Sequence, residues 1–125
     1  MKSPNIPESE WVLMETLWKR SPQTASEVAR GVQKKTGWAL ATVRTLLKRL
    51  VEKGALRSKD NQSGVRVFEP SVQRDACLRA ESKFFLQRVF QGDAKALLNH
   101  FAATAKLTAE DVREVKRTLE QAGKK

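Results

Sequence analysis

Apolar side chains recur at helical spacing in two segments near the start of the chain. Segment 8–20 carries one apolar stripe, which predicts a first helix. Thr24 and Glu27 have the spacing of a capping box, which predicts a second helix that runs to about Thr36. We expect the tryptophans of the first stripe to belong to the core, because large aromatic side chains bury extensive apolar area. The stripe consists of Trp11, Met14, Leu17 and Trp18.

Segment 38–54 predicts a third helix with two chemically different faces. One face is apolar, and Gly54 is expected to end the helix. The other face is small and polar at its start and basic further along, so it fits a DNA major groove. The alternative is an ordinary amphipathic surface helix with solvated charges. The apolar face is Val43, Leu46, Leu47 and Leu50, and the outer face is Ala41, Thr42, Arg44, Thr45, Lys48 and Arg49.

Two alternating segments, 55–59 and 65–69, flank a turn-forming sequence and predict a β-hairpin. Two helices joined by a short turn and followed by such a hairpin make a winged helix-turn-helix. Lys59 and Arg66 lie near the predicted tip, where we expect them to contact DNA phosphates. The alternative is that the hairpin only closes the hydrophobic core through Leu56, Val67 and Phe68, and we expect both roles.

The last 55 residues are predicted to be helical. Ser71 is the expected N-cap of a long helix to Gln91, Asp93 caps a second helix, and Thr108 opens a third. This segment is too short and too apolar to be stable as an isolated unit. This favours a homodimer over packing against the chain's own N-terminal domain. The residues expected at the dimer surface are Phe84, Phe85, Val89, Phe90, Leu97, Leu98, Phe101, Val112, Val115 and Leu119.

The predicted fold class is mainly α with a small β-hairpin wing. We divide the chain into a winged helix-turn-helix DNA-binding domain at 1–70 and a three-helix dimerisation domain at 71–125.

The charge distribution supports a nucleic-acid partner. The net charge is +10, and residues 34–66 carry nine cations and only two acids. Cys77 and His100 are single residues of their type, so a Cys/His metal site or a cysteine–histidine catalytic pair is not expected. We therefore predict no enzyme, no cofactor, no metal and no membrane insertion, and a cytoplasmic location.

Short motifs along nearly the whole chain carry a family resemblance. They are Glu10-Trp11, Leu17-Trp18, Gln23-Thr24-Ala25, Glu27-Val28, Trp38, Thr42, Thr45-Leu46-Leu47, Arg49-Leu50-Val51, Lys53-Gly54-Ala55-Leu56, Phe85-Leu86, Gly92 and Leu107-Thr108. On these motifs the chain resembles the penicillinase-repressor family of BlaI/MecI-type winged-helix repressors. The resemblance is most specific in the third predicted helix and weaker in the tail.

The resemblance implies a homodimeric repressor on an inverted-repeat operator, which controls a β-lactam-resistance-type operon or its own operon. By match, the base-facing positions are Ala41, Thr42, Arg44 and Thr45. By match, the phosphate contacts are Lys48, Arg49, Lys59 and Arg66.

The resemblance also implies a route of induction. In the better-known members, a membrane sensor protease triggers, directly or indirectly, cleavage in the dimerisation domain. That cut follows an Asn-Phe pair, and the corresponding pair here is His100-Phe101. An ordinary surface or packing role for His100 is the alternative. Copper-responsive members hold metal in a tail cysteine cluster, whereas this chain has only Cys77.

A second function remains open at this point. Some winged helices bind proteins without reading DNA, because a fold does not determine a function. The basic segment 34–66 favours the DNA-binding hypothesis, since a protein-interaction module does not need it.

Overall fold

The computed structural model describes residues 6–124 and confirms the predicted fold class. Residues 1–5 and 125, at the ends of the two predicted domains, lie outside the described residues. The elements in chain order are α1 (Glu8–Lys19), β1 (Gln23–Thr24), α2 (Ala25–Thr36), α3 (Leu40–Glu52), β2 (Leu56–Asp60), β3 (Arg66–Pro70), α4 (Arg74–Phe90), α5 (Ala94–Thr104) and α6 (Ala109–Ala122).

The predicted start of α2 is confirmed in atomic detail. The Thr24 hydroxyl oxygen accepts from the Glu27 amide at 3.1 Å, and the Glu27 carboxylate accepts from the Thr24 amide at 2.8 Å. This reciprocal pair satisfies backbone donors that a helix start leaves open. The neighbouring helix α3 starts differently, because its N-cap Ala39 has no side chain that could accept such a bond.

The predicted end of α3 is confirmed as well. The helix ends at Glu52, and Gly54 takes φ +84°, a left-handed conformation that favours glycine. The Ala55 amide then bonds back to the Leu50 carbonyl at 2.9 Å. This closure turns the chain directly into β2, which begins at Leu56.

One hydrophobic core holds the winged-helix elements together. The apolar face of α3 is buried in it, as predicted, together with side chains from α1, α2 and the hairpin. The predicted core tryptophans pack at its edge, with the Trp11 and Trp18 ring centroids 5.5 Å apart. The buried apolar residues are Ile6, Leu13, Met14, Leu17, Val28, Val32, Val43, Leu46, Leu47, Leu50, Ala55, Leu56, Val67, Phe68 and Cys77.

The sheet contains a strand that the sequence analysis missed. Its order is β1-β3-β2, and both pairings are antiparallel. Gln23 is buried at the turn before α2, where its amide donates to the Arg20 carbonyl at 2.6 Å and to the Thr16 carbonyl at 3.3 Å. The sequence does not predict this strand, because two residues are too few to show an alternating pattern.

The predicted cap at Ser71 is wrong. The helix α4 begins at Arg74, and the Ser71 hydroxyl donates instead to the Gly54 carbonyl at 2.5 Å. Trp18 Nε1 also donates to the Val72 carbonyl at 3.0 Å. These two bonds tie the segment before α4 to the end of α3 and to α1, so Ser71 contacts another element instead of capping the helix.

The backbone contacts group the chain into two units, Met1–Ser82 and Lys83–Lys125. The first unit contains the winged-helix elements and the start of α4, where Cys77 is buried in the core. Burial raises the pKa of the Cys77 thiol, and the nearby Glu81 raises it further. That residues 1–70 form a domain by themselves stays a prediction.

The second unit is helical, and none of its described residues, 83–124, is buried. Asp93 caps α5 by accepting from the Ala96 amide at 3.0 Å, as predicted. Thr108 and Asp111 form a capping box at the start of α6. Neither α5 nor α6 has a buried residue, so tertiary packing within this chain contributes little to their stability.

Candidate nucleic-acid interface

The helix α3, which we call the recognition helix, presents the predicted outer face to solvent. Its rotation is fixed because Val43, Leu47 and Leu50 are fully buried on the opposite side. The base-facing and phosphate-facing candidates on this helix are therefore accessible together. The exposed outer residues are Ala41, Thr42, Arg44, Thr45, Lys48 and Arg49.

The cations of the recognition helix are not neutralised by neighbouring acids. Within residues 6–124, no carboxylate oxygen lies within 4.0 Å of the charged nitrogens of Arg44, Lys48 or Arg49. An anion that approaches this face therefore meets cations that are not already paired with a carboxylate.

The hydroxyl of Thr45 already has a partner. It donates to the Ala41 carbonyl at 3.1 Å, one helical turn earlier. The bond occupies the hydroxyl proton and leaves the methyl group and the oxygen lone pairs available. A contact with a thymine methyl therefore suits Thr45 better than donation to a phosphate.

The wing, which consists of β2, β3 and their turn, closes through Asn61. The Asn61 side-chain oxygen accepts from the Ser63 amide at 2.9 Å and from the Val65 amide at 3.0 Å. Gly64 takes φ +77°, a conformation that favours glycine at this point of the turn. The predicted strands are confirmed with a shift of one residue, and Leu56, Val67 and Phe68 close the core as expected.

The wing cations are placed as predicted but already form ion pairs. Lys59 Nζ lies 3.4 Å from the Glu69 carboxylate, and Arg66 Nε lies 3.7 Å from Asp60. Exposed pairs of this kind contribute little to stability, so both cations remain available for phosphates at a small cost.

Glu69 has a second cationic partner, Arg57, which the sequence pattern did not single out. Arg57 stands directly opposite Glu69 in the strand register and donates to it at 3.1 Å. The hydrogen bond from Arg57, followed by the one from Lys59, lowers the pKa of Glu69. Cross-strand opposition in the predicted hairpin was the available signal for this pair.

A groove of about 470 Å³ separates the recognition helix from the wing. Three of the predicted DNA-contact residues, Arg44, Lys48 and Arg66, line it. Thr42 and Arg49 do not, because the helical repeat turns them to the other side of α3. The remaining lining residues are Thr24, Ala25, Ser26, Val51, Ser58, Val65 and Phe68.

The groove also includes the N-terminal end of α2, which the sequence analysis did not assign to the site. Ala25 and Ser26 are the first residues of that helix. The start of a helix carries partial positive charge and backbone N–H groups that favour anions. The capping box at Thr24 was the sequence signal that located this helix start.

A family model described as "Penicillinase repressor" matches residues 6–121. The chain belongs to the penicillinase repressor family. This confirms the family predicted from the sequence and agrees with a repressor rather than an enzyme.

Relatives of penicillinase repressor type match along almost their whole length. The penicillinase repressor of Bacillus licheniformis is 29% identical over 120 residues, which is 96% of this chain and 93% of that protein. The methicillin resistance regulatory protein MecI of Mammaliicoccus sciuri is 27% identical over 119 residues, which is 94% of this chain and 95% of that protein.

Solved structures of repressors share the winged-helix architecture. The DNA-binding domain of the repressor BlaI is 32% identical and covers 61% of this chain and 93% of its own, with a TM-score of 0.52. The monomeric form of Bacillus licheniformis BlaI in complex with the blaP half-operator has the same identity and coverage and a TM-score of 0.54. Reduced MarR from E. coli, at 18% identity, covers 94% of this chain and 77% of its own with a TM-score of 0.52, which shows similarity of fold alone.

The predicted dimerisation residues of this penicillinase repressor family member all lie on α4, α5 and α6, and none is buried. Phe85, Phe90 and Leu97 are half-buried, and the Phe85 and Phe90 ring centroids are 6.0 Å apart. The other seven are 43–62% exposed: Phe84, Val89, Leu98, Phe101, Val112, Val115 and Leu119. Their role in dimerisation stays a prediction, and Leu107, at 46% exposure, is a further exposed residue that the sequence analysis did not name.

The His100-Phe101 pair lies inside α5, exposed to solvent. The His100 carbonyl accepts from the Thr104 hydroxyl at 2.8 Å, and the Phe101 carbonyl accepts from the Ala105 amide at 2.8 Å. The His100 ring lies 5.7 Å from the Phe101 ring and 6.2 Å from the Phe90 ring, measured between centroids. The pair is thus surface-exposed but held in helical backbone, and its role in cleavage stays a prediction.

Within residues 6–124, no helix is long and apolar enough to cross a membrane.

Proposed function

We propose that this chain is a DNA-binding transcriptional repressor whose recognition helix enters the major groove. The observation that carries the proposal is the recognition helix itself, with one face buried and the other exposing short side chains beside unneutralised cations. The operator half-site complex of BlaI, which is 32% identical and covers 61% of this chain, supports the same assignment.

Each part of the interface has a distinct role in this proposal. Arg44 pairs with a guanine edge, and Thr42 and Thr45 contact thymine methyls beside the small Ala41. Lys48 and Arg49, with the wing cations Lys59 and Arg66, bind phosphates and hold the helix in register.

The proposed assembly is a homodimer on an inverted repeat. Support comes from α5 and α6, which have no buried residue, and from the apolar stripe of α6 through Val112, Val115 and Leu119. A second copy offers the same stripe, and a closed two-fold contact would cover both. Two recognition helices then meet two half-sites, and the bound dimer blocks access of polymerase to a promoter.

Induction and targets follow from the family in this proposal. The relatives named as penicillinase repressors and methicillin resistance regulators suggest control of a β-lactam-resistance-type operon or the chain's own operon. A membrane sensor protease would act, directly or indirectly, at His100-Phe101. Because both residues lie in the helical backbone of α5, cleavage at this pair requires local opening of α5 first. Such a repressor works in the cytoplasm, where its DNA is.

A footprint on the DNA upstream of the chain's own gene tests the proposal. The full-length protein is used at physiological salt with excess unrelated DNA as competitor. We expect protection of an inverted repeat, with half-sites about one helical turn apart or a multiple of it. Genome-wide binding is mapped in parallel to cover a distant operator. Protection abolished by competitor, together with no discrete genomic site, would contradict the proposal and favour a protein-interaction module.

A further inference from the structure

The groove between the recognition helix and the wing is lined by apolar as well as cationic side chains, and a phosphate would contact only the cations. Its wall includes Phe68, Val51 and Val65, so a large part of the surface that a ligand would meet is apolar. Phe68 is 9% exposed and Val51 is half-buried, so these two side chains are packed into the fold, whereas Val65 is 47% exposed. A phosphodiester gains little from such a surface, whereas an apolar ring gains from leaving water.

The charged side chains that line the groove are cationic. Arg44 and Lys48 enter from α3 and Arg66 from β3, and no acidic residue among residues 6–124 belongs to the lining. Arg66 is shared with Asp60 at 3.7 Å and with the Ser58 hydroxyl at 3.4 Å, while the other two have no carboxylate partner among residues 6–124. The Glu27 carboxylate already caps the start of α2 by accepting from the Thr24 amide, so the positive charge of the groove comes from its side chains.

We propose that this groove binds a small organic anion with an aromatic or similarly flat apolar body, such as an aromatic carboxylate. Its ring lies against Phe68, Val51 and Val65, and its carboxylate faces Arg44 and Lys48. A groove of about 470 Å³ lies within the range of pockets that hold small molecules.

Occupation of the groove interferes with DNA binding. This part of the inference rests on the proposed function, because Arg44, Lys48 and Arg66 are also the proposed DNA contacts. An anion bound to them neutralises the charges that phosphates and a guanine edge need. The ligand and the operator then compete, and the groove is a site where a metabolite relieves repression without cleavage of the chain.

The first test measures ligand binding in the absence of DNA, by calorimetry on the full chain. The probe is 2-naphthoate, and the uncharged control of similar shape is naphthalene-2-methanol. Lys48→Gln removes a cation that lines the groove, whereas Arg49→Gln removes the adjacent cation that does not. We expect Lys48→Gln to weaken naphthoate binding about five- to tenfold and Arg49→Gln to change it less than about twofold.

Three results would overturn the binding site. They are naphthoate binding no better than naphthalene-2-methanol, equal effects of the two substitutions, or inorganic phosphate binding as tightly as naphthoate. The last result would mean a simple anion site for the DNA backbone. None of these measurements contains DNA, so they are independent of the proposed repressor function.

The second test is competition with the footprinted operator, with sodium naphthoate replacing sodium chloride at constant ionic strength. At about ten times its own Kd, naphthoate is expected to raise the apparent Kd for DNA about tenfold. Naphthoate that binds in the first test but leaves the operator affinity unchanged would overturn the regulatory part. A chain that binds no operator at all would instead refute the proposed function and leave the ligand site standing.

Discussion

Lys53, just after the recognition helix, places its Nζ 2.5 Å from Oε1 of Glu10 in α1. Glu10 is only 3% exposed, whereas the Lys53 side chain is 32% exposed. A carboxylate this buried is costly without a cationic partner. The pair therefore fixes the end of the recognition helix on α1, 43 residues earlier in the chain.

Lys53→Met is expected to lower the free energy of unfolding by about 2 kcal/mol, because it leaves the Glu10 carboxylate buried beside an apolar chain. The partial exposure of Lys53 keeps the loss below that of a fully buried pair. Urea denaturation measures this loss of stability. The matched control is Lys34→Met, which replaces an exposed lysine on α2. Equal losses in the two variants would show that the pair is not structurally important.

Arg44→Ala is expected to relax sequence preference at one base pair per half-site, by about 1–3 kcal/mol of discrimination. The reason is that Arg44 has no internal carboxylate partner among residues 6–124 and is free to pair with a guanine edge. Binding to a set of operators with single base changes measures the effect. Unchanged affinity and unchanged preference would remove Arg44 from the base-reading set.

Lys48→Ala is expected to weaken binding to operator and unrelated DNA alike, and to reduce the slope of log K against log salt by about 1. Lys59→Ala acts in the same direction but less strongly, because Lys59 is already shared with Glu69 at 3.4 Å. Salt titrations of both variants against the unchanged protein make the comparison. A larger effect from Lys59, or an effect on one sequence only, would contradict this ranking.

Acid is expected to weaken the start of α2 through Glu27. Its hydrogen bond with the Thr24 backbone, the largest cause, lowers the pKa of the Glu27 carboxyl. A carboxyl with a lowered folded-state pKa stabilises the fold fully above its ordinary value of 4.5, and this stabilisation is lost as the pH falls through the folded pKa. Glu27→Gln should thus be less stable than the unchanged protein at pH 7, with the difference shrinking towards pH 3. A difference independent of pH, in urea denaturation at both pH values, would refute this origin.

Val115→Glu is expected to raise the dissociation constant of the proposed homodimer about tenfold or more, because it places an unpaired charge in the apolar stripe of α6. Gln121→Glu introduces the same charge on the opposite side of the helix and is the control. Analytical ultracentrifugation gives the masses, and circular dichroism checks that both variants stay helical. Equal dissociation in both variants, or a monomeric unchanged protein, would argue against this surface.

The sequence by itself determined most of the helices, the wing and the family. These features are local: the period of Val43, Leu46, Leu47 and Leu50, the capping box at Thr24, and the glycine stop at Gly54 each act within a few residues. Helix caps and amphipathic periods can be predicted from the sequence because the residues that interact are close along the chain.

Only the tertiary structure decided which distant residues meet. The strand β1 exists because Gln23 pairs with Phe68, and Ser71 bonds to Gly54 rather than capping a helix. The groove likewise joins the start of α2, one side of the recognition helix and the wing. Such pairings depend on how the core packs, and partners separated by tens of residues share no local pattern from which the contact could be predicted.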